Sequence, residues 1–265
     1  MFLMKQGQIL KDKKYFILDM DGTFYLGDRL LDGSLEFLDR LKESGQDFLF
    51  FTNNSSQTPD VYVDKLRKMK CLVDGDKVVT SGMVTTHYLK KHHDKSRVYL
   101  LGTPMLEEQF IKEGINLVED KPDLVVAGFD TTITYEKLTR ACTFIREGAR
   151  FIATHPDFNC PTEDGFIPDC GAICAFITAS TDAEPRYLGK PYEETLEFVL
   201  DHLNCTKDEI VFVGDRLYTD IAIAANHGVT SILVLSGETK LEDVEKSDVQ
   251  PDIIVDRLVD IVKWL

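Results

Sequence analysis

The stretch Phe16-Ile17-Leu18-Asp19-Met20-Asp21-Gly22-Thr23 runs an apolar strand into two carboxylates one residue apart. In an extended chain residues i and i+2 face the same way, so Asp19 and Asp21 emerge together where the strand stops. Two neighbouring carboxylates without a counter-charge repel each other. A strand that ends this way is expected to hold a metal ion or to move protons. A calcium loop is excluded by the spacing. Counted from Asp19, the sixth position is Phe24 where an EF-hand needs Gly, and the twelfth is Leu30 where it needs Glu.

The pattern outward from this stretch alternates strand and helix. An amphipathic helix is expected over Ser34 to Ser44, with Leu35, Leu38 and Leu41 on one face and Gly45 as its stop. Asp47 to Phe51 reads as the next strand, followed by Thr52-Asn53-Asn54-Ser55. Thr58 then caps a helix opened by Pro59. From about Gly82 the alternation starts afresh, with strands at Arg97–Leu101, Asp123–Ala127 and Arg150–Ala153 between helices. Phe166 to Ser180 reads as a Gly- and Cys-bearing turn and an apolar helix. Strong signals return late in the chain: a helix from Pro191 to His202, a strand from Glu209 to Val213, a helix from Thr219 to Gly228, and strands at Ser231–Leu235 and Ile253–Val255. Repeated alternation of this kind implies an α/β protein with a parallel sheet covered on both faces. The middle reads as an insertion at 83–182 into a discontinuous core of 1–82 and 183–265.

Composition narrows the function classes. A net charge of −15 and a pI near 4.8 argue against a nucleic-acid backbone or an anionic membrane as the main partner. With 43% hydrophobic residues the chain fills a sizeable core. The six cysteines form no C-x-x-C pair and read as buried thiols. The apolar run from Met1 to Lys5 is too short for a signal peptide, and no stretch approaches the ~20 apolar residues of a bilayer span. The expectation is a soluble, cytoplasmic protein whose oligomeric state is left open, a homodimer included.

In parallel α/β sheets functional groups collect beyond the carboxyl ends of the strands. Four candidates lie there or at a helix start: Asp19 with Asp21, Thr52-Asn53-Asn54, Lys190 in Gly189-Lys190-Pro191, and Asp215 with Asp220. The set suits phosphoryl transfer. Mg²⁺ takes one or two carboxylates plus a substrate oxygen, which Asp19 and Asp215 would supply, with the main-chain oxygen of Asp21 as a further ligand. Asp19 is then the nucleophile of an aspartyl-phosphate and Asp21 the acid and base. Lys190, the Thr52 hydroxyl and main-chain groups around Asn53 offset the phosphoryl charge. Asn54 and Gly22 are assigned to the substrate as well. Each motif alone has a plainer reading: a solvated turn, a helix cap at Thr52 or Asp220, a surface lysine.

Together these motifs resemble those of the haloacid dehalogenase superfamily of aspartate-nucleophile phosphatases. Thr52-Asn53-Asn54-Ser55, Gly128-Phe129-Asp130, Gly189-Lys190-Pro191 and Gly214-Asp215-Arg216-Leu217-Tyr218-Thr219-Asp220 are similar to its NagD-like, para-nitrophenyl-phosphatase-like branch. The resemblance implies a doubly wound, Rossmann-like core with an inserted α/β cap that chooses the substrate. It also implies Mg²⁺ as cofactor and small phosphorylated metabolites as substrates: sugar phosphates, nucleoside monophosphates, phosphoglycolate or aryl phosphates. Asp220 becomes a supporting acid. Thr154-His155-Pro156-Asp157 occupies a cap loop where better-known members carry Asn in place of His155. His155 is therefore either a leaving-group contact or a structural histidine. A phosphomutase on the same scaffold and a non-catalytic phospho-ligand sensor are the competing readings; an acid/base at Asp21 has no use in a sensor.

Overall fold

The computed structural model describes residues 9–162 and 165–265. The N-terminal run read above as no signal peptide lies outside the described residues. Contacts divide the chain into two units. One runs to Thr52 and takes in Val63–Val79 and Leu196–Leu265; the other comprises Asn53–Tyr62 and Thr80–Thr195. The second is wider than the 83–182 insertion expected from the sequence, and a division falls inside Thr52-Asn53-Asn54-Ser55.

The first unit is built on a six-stranded sheet in the order Ile253–Val255, Thr230–Val234, Ile210–Gly214, Tyr15–Leu18, Asp47–Thr52, Val78–Thr80. Every pairing from Ile253–Val255 to Asp47–Thr52 is parallel. Tyr15–Leu18 lies inside the sheet because Phe16, Ile17 and Leu18 present no polar face. Each is at most 1% exposed, as a strand covered on both sides requires. The helix Ser34–Glu43 packs there through Phe37, Leu38 and Leu41, and Phe37 meets Phe16 edge to face with centroids 5.8 Å apart. Leu35, expected on the buried face, is 38% exposed. The larger Phe37 takes the core, and at 100° per residue that turns Leu35 outward. Leu41→Ala is therefore expected to lower the unfolding free energy by about 2–5 kcal/mol, and Leu35→Ala by about 0.5 kcal/mol or less. Equal losses in urea denaturation would refute this face assignment.

The second unit carries its own four-stranded parallel sheet, in the order Arg186–Tyr187, Arg150–Ala153, Leu124–Ala127, Val98–Leu101. Its helices start where the sequence provides caps. Thr103 accepts from Leu106 N–H ahead of Pro104–Lys112, and Thr134 accepts from Lys137 N–H ahead of Tyr135–Arg146. Tyr99, Leu101, Val125, Phe144, Cys170 and Ile177 belong to its core.

Some elements differ from expectation. An antiparallel hairpin, Asn159–Thr162 with Gly165–Pro168, and the short strand Arg186–Tyr187 were not expected. The hairpin has no fully buried residue and carries Pro161 and Pro168, so it shows none of the apolar alternation by which strands are read. The helix expected from Pro191 begins at Glu193, after a turn in which Tyr192 N–H donates to Gly189 O at 2.9 Å. Among the described residues no helix is long and apolar enough to cross a membrane.

Candidate active site

Asp19 and Asp215 leave the ends of neighbouring parallel strands. Leu18 pairs with Val213, and Asp19 N–H donates to Val213 O at 2.9 Å. The chain after Arg216 then makes a wide turn over Leu217–Ile221, with Ile221 N–H reaching back to Arg216 O at 3.2 Å. The regular helix starts only at Ala222, later than the Thr219 expected. Asp220 sits in this turn, and its carboxylate accepts from Arg216 N–H at 3.2 Å. Asp19, Asp215 and Asp220 each offer an oxygen within 4.8 Å of the others. Asp220, expected as a supporting acid, is thus a third member of the cluster. Asp21, expected as a ligand through its main-chain oxygen, contributes no carboxylate to this group among the described residues.

Glycines make room for the acids. A Cβ on Gly237 would collide with Asp215 Oδ2, one on Gly214 with the Asp220 carboxylate, and one on Gly22 would stand 2.5 Å from Asp215 Oδ2. Gly22 also has φ +87°, a conformation only glycine adopts without strain. Both of its main-chain groups, expected to meet substrate, are engaged within the unit: its N–H donates to Tyr25 O and its carbonyl accepts from Ser236 Oγ, each at 2.8 Å. Asp215 accepts from Glu238 N–H at 2.7 Å and from Thr23 Oγ1 at 3.3 Å. Burial and the neighbouring Asp220 nonetheless push the Asp215 carboxyl up to about 6. All three donors are hard carboxylate oxygens around a cradle that glycine keeps clear, which fits a small divalent cation that takes oxygen ligands and retains water.

Burial also raises the pKa of Asp21, while the charges of Lys65 and Arg216 pull it down. Lys65 lies over the Tyr25 ring at 4.1 Å from its centroid, and Tyr25 bridges to Asp21. Lys65, Thr23 and the Ser236-Gly237-Glu238 segment were missed in the sequence. The last follows the strand Thr230–Val234, so the strand-end rule applied to every strand would have found it. Thr52 is the half-buried final residue of its strand.

The second unit gathers the other predicted residues. Lys190, 2% exposed, donates its N–H to Asn53 Oδ1 at 2.9 Å and accepts from Asn53 Nδ2 at 3.0 Å. Asn53 Nδ2 also donates to Asp157 Oδ2 at 2.7 Å. Asn54 Oδ1 accepts from Ser56 N–H and Oγ at 2.9 and 2.7 Å, a local turn. The side chains of Asn53 and Asn54 are thus committed inside this unit.

His155 is enclosed within this unit. Its ring is 0% exposed; Nε2 meets Asp169 at 2.8 Å, and Nδ1 meets Thr154 Oγ1 at 2.9 Å and Ser81 Oγ at 3.3 Å. Both ring nitrogens thus face protein groups of the same unit. Burial disfavours the charged ring, but Asp169 and the Cys170 thiol outweigh it and raise the pKa to about 9. Folding then favours the protonated form, so this contribution is full below about 6.5 and is lost as pH passes 9. Cys170, lowered to about 7, titrates in the same window in the opposite sense. In a Cys170→Ala background, which removes one of the groups that raise the His155 pKa, stability is therefore expected to fall as pH rises from about 6.5 and to level off below 9. That fall is absent when His155 is replaced by Asn. Parallel Tm profiles for the two would overturn the assignment.

Comparison with known proteins agrees with this geometry. Residues 16–116 match a family profile described as haloacid dehalogenase-like hydrolase, and 187–261 match one described as HAD-hydrolase-like. An acid sugar phosphatase of Staphylococcus haemolyticus is 37% identical over 243 residues, 91% of this chain and 92% of that protein. Among solved structures, a 4-nitrophenylphosphatase from Thermotoga maritima superposes with a TM-score of 0.93 at 48% identity, covering 96% of this chain and 98% of that one. NagD from E. coli K-12 gives 0.88 at 31% identity, over 94% and 98%.

Proposed function

The chain belongs to the haloacid dehalogenase-like hydrolase family, and from that premise we propose a Mg²⁺-dependent phosphatase that hydrolyses monoesters of small phosphorylated metabolites. Sugar phosphates and aryl phosphates are the first substrates to expect, as the names of the relatives suggest. The observation that carries the reading is the trio Asp19, Asp215 and Asp220 at the ends of parallel strands, with a second acid of raised pKa two residues after Asp19.

Asp19 attacks phosphorus and forms an aspartyl-phosphate. Asp21, whose pKa burial raises, gives a proton to the leaving oxygen and then takes one from the hydrolytic water. The Lys190 ammonium and the Thr52 hydroxyl offset charge on the transferring group. Asp19 and Asp215, with Asp220 in support and the Asp21 main-chain oxygen as a further ligand, would hold Mg²⁺, which would supply Lewis acidity and counter-charge when bound. The inserted unit, for which we keep 83–182 as the cap, selects the leaving group.

Phosphate release with Mg²⁺ is measured across 4-nitrophenyl phosphate, sugar phosphates, nucleoside monophosphates and phosphoglycolate. Release from the aryl ester and from at least one sugar phosphate is expected. No release from any of them refutes a phosphatase. Conversion of one sugar phosphate into its isomer, with phosphate retained, would identify a mutase instead.

A further inference from the structure

Asn53 makes a contact pattern that a substrate ligand would not need. Its carboxamide accepts the Lys190 N–H on one side and donates to the Lys190 carbonyl on the other, at 2.9 and 3.0 Å. It thus pairs with the main chain of one residue as a neighbouring strand would. Only one orientation of the amide does this, and Asp157 selects it. The Asp157 carboxylate, 3% exposed, accepts from Nδ2 at 2.7 Å and would repel Oδ1.

The pieces around the amide are themselves fixed. Gly171 N–H donates to Asp157 O at 2.8 Å, and a Cβ on Gly171 would collide with Pro156 O. Ser81 Oγ donates to Asn53 O and meets His155 Nδ1. A Cβ on Gly189 would stand 2.7 Å from His155 Cβ and 2.8 Å from Asn53 Oδ1, so only glycine fits before Lys190.

We propose that Asn53, oriented by Asp157, is a positioning residue that clamps the main chain of Lys190. Asn53 follows Thr52 in the chain, so one side chain fixes Lys190 to the segment that carries the other proposed phosphate donor. The inference rests on the phosphatase reading, in which the Lys190 ammonium offsets phosphoryl charge. A long flexible lysine does this best when its stem starts from a fixed point, because a misplacement of about 1 Å costs on the order of 10²-fold in rate.

The test is a double-mutant cycle on 4-nitrophenyl phosphate hydrolysis with saturating Mg²⁺, with the Ki of inorganic phosphate and Tm read in parallel. Asn53→Asp keeps the shape, removes both amide donations and sets a charge against Asp157. It is expected to lower kcat/KM by about 10²-fold and to raise the phosphate Ki. In a Lys190→Met background the same change is expected to cost less than about threefold, because the partner it acts through is gone. Asp157→Ala is expected to lower kcat/KM by about tenfold, and Asp157→Asn, which still offers an acceptor, to recover most of that loss. An equal loss from Asn53→Asp in both backgrounds, or none in the wild type, overturns the clamp while Lys190 keeps its role. Should Lys190→Met itself leave kcat/KM unchanged, the underlying assignment of Lys190 fails, a result distinct from either of those. If Asn53→Asp does not fold, the Asp157 pair decides: equal activity of Asp157→Ala and wild type overturns the clamp.

Discussion

Asp19→Asn is expected to abolish turnover, with kcat on 4-nitrophenyl phosphate falling by about 10⁴-fold or more, the scale seen when an enzyme loses its nucleophile. The change is nearly isosteric, so the buried strand before it and the Val213 bond at its N–H are retained. It removes the attacking oxygen and the negative charge of Asp19, the half-buried member of the trio. With that charge gone, repulsion within the trio falls, so Tm is expected to hold or rise while catalysis disappears. Rapid acid quench of the wild type with labelled substrate is expected to trap phosphate on Asp19, and the variant none. Substantial residual turnover by Asp19→Asn, or a trapped phosphate on another residue, would sink the assignment.

Metal removal is the second large effect. Chelation is expected to reduce hydrolysis below detection, and added Mg²⁺ to restore it. Ca²⁺, larger and tolerant of six to eight ligands, restores it poorly. A readout independent of activity comes from linkage: Mg²⁺ at 100 times its Kd stabilises the folded chain by about 2.7 kcal/mol, visible as a rise in Tm. Asp215→Ala, which removes one of the two buried carboxylates of the trio, is expected to lose both the Mg²⁺-dependent Tm rise and the activity. Full activity in excess chelator would exclude the metal from the proposed reaction, and an unchanged Tm rise in Asp215→Ala would place the ion elsewhere.

The residues that could be read from sequence are those whose chemistry is tied to a strand end. Asp19 and Asp215 follow apolar runs that have to be buried strands, and a parallel sheet delivers such residues to one edge. Asp220 was legible as an acid but not as a cluster member. Its place depends on the wide turn over Leu217–Ile221, which the regular helical spacing of that segment conceals. The outward turn of Leu35 was hidden for a related reason: three leucines at helical spacing outvoted the single Phe37 that decides the packing. His155 illustrates a deeper limit. The loop motif marks it as unusual, but whether a histidine meets a substrate or an aspartate depends on contacts such as Asp169, which no local spacing reveals. The clamp of Asn53 on Lys190 spans 137 positions and is invisible for the same reason.

The central sheet has one more consequence, for how the chain is made. Tyr15–Leu18 is placed between Ile210–Gly214 and Asp47–Thr52, so it completes its pairing only with a strand that follows it by nearly two hundred residues. During synthesis at about 5–20 residues per second, Asp19 leaves the ribosome roughly 10–40 s before Asp215. Throughout that interval one edge of Tyr15–Leu18 is unpaired, and Phe16 and Leu18 lack the neighbour that later covers them. The second unit, whose last strand ends at Tyr187, is fully synthesised before the strand that closes the first. Nascent chains of this protein therefore carry an open apolar strand edge until Ile210–Gly214 is made. The acid trio, and with it any turnover, waits for that late strand.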